Sequence, residues 1–142
     1  MDGILSYLKA SDYLGELEGK VALVKSDFNV PIISGAGQTP RVADPFRILQ
    51  ATPFIKDLIN AGVTPLLATH LGRPKGYDPS LTLDPILESL SAAIGRDVEI
   101  IRFDPAAGTY IPKQFNRQFN TDYLKALFKD GVIPLLDNIR FH

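Results

Sequence analysis

The feature that most constrains the fold is an alternation of continuous apolar runs with segments of helical spacing, the first two helices each opened by Asp-Pro and closed by glycine. Residues 21–24 read VALV, and residues 63–70 repeat the pattern around Val63, Leu66 and Leu67. A run that is apolar at consecutive positions, rather than at every second one, marks a strand buried on both faces of a parallel sheet. Between the two runs, Asp44-Pro45 sets a carboxylate at a helix start and a proline in its first turn. Leu49, Ile55, Leu58 and Ile59 supply the apolar face to about residue 60, and Gly62 stops the helix. Pro53 lies inside this segment and removes one backbone hydrogen bond, so a kink is expected there.

Asp84-Pro85 repeats the helix-start pair, with Ile86, Leu87, Leu90 and Ile94 inward and Gly95 at the exit. Val98, Ile100 and Ile101 form a third strand, residues 121–129 a short helix with Leu124, Leu127 and Phe128 inward, and residues 132–136 a fourth strand. Pro65 and Pro134 are tolerable because each sits near the start of its strand. Residues 104–120, with Tyr110, Phe115 and Phe119, read as a long loop or insertion. The pattern predicts an α/β fold, a three-layer αβα arrangement around a Rossmann-like parallel sheet with right-handed crossovers. Ligands in such sheets gather at the carboxyl ends of the strands.

Length and charge narrow the function classes. At 142 residues the chain fits one domain, spanning 1–142. Its 45% hydrophobic content is enough for a core, and a net charge of −1 provides no global field toward nucleic acid or acidic membranes. Any anion site must therefore be local. The chain has no cysteine, which removes disulfides and thiolate metal sites and fits a cytoplasmic location. The N-terminus lacks the basic start and apolar centre of a signal peptide, and no apolar run approaches the ~20 residues of a membrane span.

Polar residues cluster where the strands end. Asp27 and Asn29 follow the first strand, His70 and Arg73 the second, Asn138 and Arg140 the fourth. The segment HLGRPKG, residues 70–76, joins two glycines that allow close backbone approach to cations suited to phosphate or carboxylate. An ordinary strand-to-helix turn with solvated cations would read the same way. Asp27 and Asn29 lie two apart, so an extended chain would point both toward vicinal oxygens; an Asx turn before Pro31 is the alternative. Arg47 falls in the first turn of its helix, where the dipole disfavours a cation, a local misfit that hints at use. A surface salt bridge would account for it as well. His70 alone reads as a hydrogen-bonded rim residue, and Arg140 as either a ligand or a solvated tail.

Other chemistries find no foothold. Gly35-Ala36-Gly37 lacks the third glycine of a dinucleotide loop and reads as a flexible connector, and no GxxxxGK[ST] segment exists. Two histidines without HExxH or cysteine partners do not make a zinc site, and the serines lack a nucleophile-elbow pattern.

The ordered segments SDFNVP at 26–31, ADPFRI at 43–48, THLGRPKG at 69–76 and LLDNIRFH at 135–142 resemble the N-terminal domain of phosphoglycerate kinase. The resemblance runs from about residue 19 to the end and implies an incomplete N-terminal, substrate-binding domain of a two-domain glycolytic enzyme. By that resemblance Asp27, Asn29, Arg47, His70, Arg73 and Arg140 would contact 3-phosphoglycerate or 1,3-bisphosphoglycerate, and Arg47 would also be catalytic, stabilising the phosphoryl group in flight. Mg-ATP or Mg-ADP would belong to a C-terminal nucleotide domain that lies beyond this chain, so no cofactor or metal site and no turnover are expected here. A free-standing noncatalytic module binding small phosphorylated acids or a partner protein is the alternative. Lys25-Ser26 and Asp137 depart from the family's usual Arg-Val and Glu, residues 104–120 are longer and more aromatic, and only four strands are legible where the family's sheet has more.

Overall fold

The structure, a computed structural model, describes residues 13–114 and 118–141. The segment read as lacking a signal peptide, apart from its last residue Tyr13, lies outside these residues, as do Phe115 and His142. In chain order the elements are α1 (Leu14–Leu17), β1 (Val21–Lys25), β2 (Ile32–Ile33), β3 (Arg41–Val42), α2 (Phe46–Asn60), β4 (Thr64–Ala68), α3 (Leu87–Ile94), β5 (Asp97–Asp104), β6 (Thr109–Ile111), α4 (Thr121–Lys129) and β7 (Val132–Leu136). Short 3-10 turns occupy Pro79–Leu81, Asp84–Ile86 and Ile139–Phe141.

The main sheet runs β1-β4-β7-β5-β6. The first four strands pair in parallel, and β6 closes antiparallel on the end of β5. One face carries Ile48, Ile55 and Leu58 of α2 and Leu90 of α3 against Val24, Leu67, Ile100 and Ile133. The other carries Tyr123 and Leu124 of α4 against Leu66, Ile101 and Phe103. This is an α/β fold with helices on both sides of a mostly parallel sheet. Every residue of β4 is buried, with Leu66 and Leu67 serving opposite faces, which is why its sequence is apolar at consecutive positions from Pro65 to Ala68.

The two strand prolines share one explanation. Thr64 N–H donates to the Lys20 carbonyl on the β1 side and Asp137 N–H to the Ile101 carbonyl on the β5 side. Because donors alternate along a strand, Pro65 and Pro134 both turn their missing N–H toward the seam between β4 and β7. Pairing across that seam is confined to Leu67↔Leu135 and Ala68↔Leu136, beyond both prolines. The ladder therefore exists only at the carboxyl end, where the polar loops leave the sheet.

Five readings of the sequence need correction. Residues 21–24 are not a strand buried on both faces: β1 lies at the edge of the sheet, with Leu23 67% exposed and only Val24 of the strand buried. Leu49 is 54% exposed and Ile48 takes the buried position in α2, because the helical arc centred on Ile55 and Ile59 includes 48 and not 49. Residues 104–120 are not simply a loop: β5 extends to Asp104 and turns through Gly108, at φ +68°, into β6, burying Tyr110. The connector around Gly35 and Gly37 joins β2 to β3 in a separate two-stranded sheet, so it is a hairpin. Asp84 does not cap its helix but sits within the 3-10 turn and pairs with Arg102.

Candidate functional site

The sheet order places β1, β4 and β7 side by side, so the loops leaving their carboxyl ends are neighbours. Thr69, fully buried just past β4, stitches them together. Its hydroxyl oxygen accepts the Phe28 N–H at 3.0 Å, and its carbonyl accepts the Ile139 N–H at 3.0 Å. The β1 and β7 exits are thus both hung on one residue of the central strand.

From this base a continuous chain of hydrogen bonds runs through the predicted residues. Arg47 Nη1 donates to Asp27 Oδ1 at 3.2 Å and to the Asn29 carbonyl at 3.0 Å. Asn29 Oδ1 accepts the Gly72 N–H at 3.2 Å, and the Gly72 carbonyl accepts Arg140 Nη1 at 3.2 Å. Gly72 adopts φ +64°, a left-handed conformation open to glycine, which lets its N–H and carbonyl address different loops. Arg73 follows directly, exposed and without a hydrogen-bond or ion-pair partner among the described residues. His70 is half-buried, and its Nδ1 is shielded from solvent with no partner among the described residues, contrary to the reading of a hydrogen-bonded rim histidine.

Asp27 and Asn29 do not form an extended pair. Asn29 N–H donates to Asp27 Oδ1 at 3.2 Å, the Asx turn that the sequence also allowed, and the two side chains serve different partners. The Arg47–Asp27 ion pair leaves the side chains 50% and 62% exposed, so solvent screens it and its net worth is about 1 kcal/mol or less. A guanidinium held that weakly is free to exchange its carboxylate for a stronger anion. Arg47, Arg73 and Arg140 against Asp27 and Asp44 leave the rim locally positive in a chain of net charge −1. Guanidinium forks over a loop of backbone N–H groups suit a small phosphorylated or carboxylated anion.

Grooves open at this rim. One of about 450 Å³ is lined by Asn29, Val30, Pro31, Asp44, Phe46 and Arg47. Another of about 320 Å³ passes between Asn29 and the Leu71, Gly72 and Leu81 segment. A larger groove of about 670 Å³ follows the β5–β6 edge instead and holds none of the six predicted residues. Among the described residues no group of three or more His, Cys, Asp or Glu side chains could hold a metal ion, and no helix is long and apolar enough to cross a membrane.

The phosphoglycerate kinase family model matches residues 11–142. The chain belongs to the phosphoglycerate kinase family. It is 35% identical over 127 residues to the phosphoglycerate kinase of Dictyoglomus turgidum, covering 89% of this chain and 28% of that protein. Against the phosphoglycerate kinase of Mycobacterium avium it is 37% identical over 134 residues, covering 92% and 29%. Among solved structures, phosphoglycerate kinase from Coxiella burnetii aligns with a TM-score of 0.59 at 25% identity, covering 89% of this chain and 27% of that one. The enzyme from Pyrococcus horikoshii, at 22% identity and a TM-score of 0.64 over 96% of this chain and 29% of that one, shares the fold. The chain thus spans less than a third of the length of these phosphoglycerate kinases.

Sequence reasoning missed the residues that organise the rim rather than face it: Thr69, Asp137 and Arg102. Thr69 and Asp137 each follow the last residue of a buried strand, the position where a polar side chain has a structural task. Arg102 carries no such signal, because its partners Asp84 and Asp137 are distant in sequence.

Proposed function

We propose that this chain supplies most of the 3-phosphoglycerate site of a phosphoglycerate kinase, an enzyme that transfers a phosphoryl group reversibly between 1,3-bisphosphoglycerate and ADP. The observation that carries this reading is the hydrogen-bonded chain Asp27–Arg47–Asn29–Gly72–Arg140, with Arg73 beside it and without a partner among the described residues. Family membership supports the substrate class. In this reading Arg73, Arg140 and His70 hold the phosphate and carboxylate, Asp27 and Asn29 the hydroxyl side, and Arg47 leaves Asp27 to stabilise the transferring phosphoryl group.

In this proposal Mg-ATP and Mg-ADP are bound by residues other than those described, as the family resemblance implies, and the chain alone turns over no substrate. A cytoplasmic location follows relatives such as the cytosolic phosphoglycerate kinase of wheat, although a chloroplastic relative exists in Arabidopsis thaliana.

The test is calorimetric titration of 3-phosphoglycerate into the chain, with circular dichroism on the same sample. Saturable binding that Arg73→Ala abolishes is expected; a folded chain that takes up no 3-phosphoglycerate overturns the reading.

A further inference from the structure

The loop bearing Arg73 and Lys75 is closed at both ends by one side chain. The Asn138 carboxamide nitrogen donates to the Leu71 carbonyl at 2.7 Å and to the Leu81 carbonyl at 2.9 Å, and Asn138 is fully buried. Its carboxamide oxygen accepts the Arg140 N–H at 3.1 Å. Asn138 is itself placed by the residue before it. Asp137 Oδ1 accepts both the Asn138 N–H and the Leu83 N–H at 3.0 Å, while Oδ2 lies 3.5 Å from Arg102 Nη1. The Asp137 N–H and carbonyl are also taken, by the Ile101 carbonyl and the Tyr110 hydroxyl. Arg102 in turn is gripped bidentately by Asp84, at 2.6 and 2.7 Å, in the turn that follows Leu83.

We propose that Asp137 is a positioning residue for the anion site, acting through Asn138 to clamp the two ends of the Arg73 loop. Its carboxylate is 1% exposed, so exchanging it for a carboxamide sets an NH2 donor against either the Arg102 guanidinium or the two N–H groups, whichever oxygen it replaces. The Leu71 and Leu81 ends then separate, and Gly72, whose N–H and carbonyl hold Asn29 and Arg140, loses its setting. Arg73 moves with them. The ligand assignment rests on the substrate reading above; the clamp does not.

Two readouts separate those claims. In amide spectra of the isotope-labelled, ligand-free chain, Asp137→Asn shifts the Gly72 N–H and the Asn138 carboxamide signals. Calorimetry with 3-phosphoglycerate then shows binding weakened about tenfold, the effect of one buried hydrogen bond lost. Ile94→Val, a core substitution at the far end of α3, provides a destabilised control that moves neither readout. Arg102→Gln, at a half-exposed side chain, is the second arm if Asp137→Asn does not fold, and shifts the same two signals by less.

Unmoved Gly72 and Asn138 signals in a folded variant overturn the clamp, as does an equal response in Ile94→Val. Shifted signals in a chain whose wild type takes up no 3-phosphoglycerate support the clamp and overturn the substrate reading instead.

Discussion

The Asn29 side-chain oxygen accepts the Gly72 N–H across 43 residues of sequence, tying the loop after β1 to the loop after β4. Gly72 makes this bond at φ +64°, and a Cβ there would lie 3.0 Å from Leu81 Cδ2. Gly72→Ala is therefore expected to destabilise the chain by about 1–2 kcal/mol from the left-handed backbone alone. Chemical denaturation measures that loss, and 3-phosphoglycerate titration should show weakened binding; an alanine variant as stable and as tight as wild type contradicts the role given to Gly72.

Thr69 can be tested without changing volume. Thr69→Val keeps the shape but deletes the acceptor for the buried Phe28 N–H, at a cost of about 1–3 kcal/mol. Urea unfolding should show the midpoint fall with the slope unchanged, since the surface exposed on unfolding is the same.

Tyr110 provides an alkaline signature. Burial, and secondarily the charge of Asp137, push its phenol up to about 12, and its hydroxyl donates to the Asp137 carbonyl at 3.1 Å. Above pH 10 the unfolded chain gives up this proton while the folded chain keeps it, so stability falls as pH rises from about 10 toward 12. Tyrosinate absorbance should contain a late component that Tyr110→Phe removes, and the same substitution should flatten the alkaline loss of stability.

Asp84 gives the opposite signature. Its hydrogen bonds from Arg102 hold the carboxyl below its ordinary value, against a smaller opposing effect of burial. The stabilisation is present above the ordinary carboxylate range and disappears as pH falls through the lowered folded value. Both side chains are 50% exposed, so Asp84→Asn should cost no more than about 1 kcal/mol at neutral pH and nothing at the acid end. Thermal melts of the two proteins across acid pH should converge; a constant gap would mean that the loss is one of packing, not charge.

Much of the architecture is readable locally. The consecutive apolar residues 65–68 of β4 can be satisfied only with protein on both faces, and the glycine ends of α2 and α3 reflect a left-handed backbone that other residues resist. That the predicted residues would share one rim was legible for a related reason: strands that point the same way deliver their following loops to one rim. The side-chain arrangement there was not legible. Asp27 accepts the Asn29 N–H in a local Asx turn and also meets Arg47, 20 residues away and brought near by the packing of α2, a contact no local pattern shows.

The sequence by itself determined the strand and helix periodicities, the strand-end polar residues and their family motifs, because these are properties of neighbouring residues. Only the tertiary structure decided that Asp84 pairs with Arg102 rather than capping a helix, that Tyr110 is buried by a hairpin, and that Asp137 and Asn138 close the Arg73 loop. The Asp84–Arg102 pair, the Tyr110–Asp137 bond and the Asn138 contact to Leu71 join residues 18 to 67 apart, whose meeting is set by strand order and register, although the β5–β6 hairpin itself pairs residues only 5 to 9 apart.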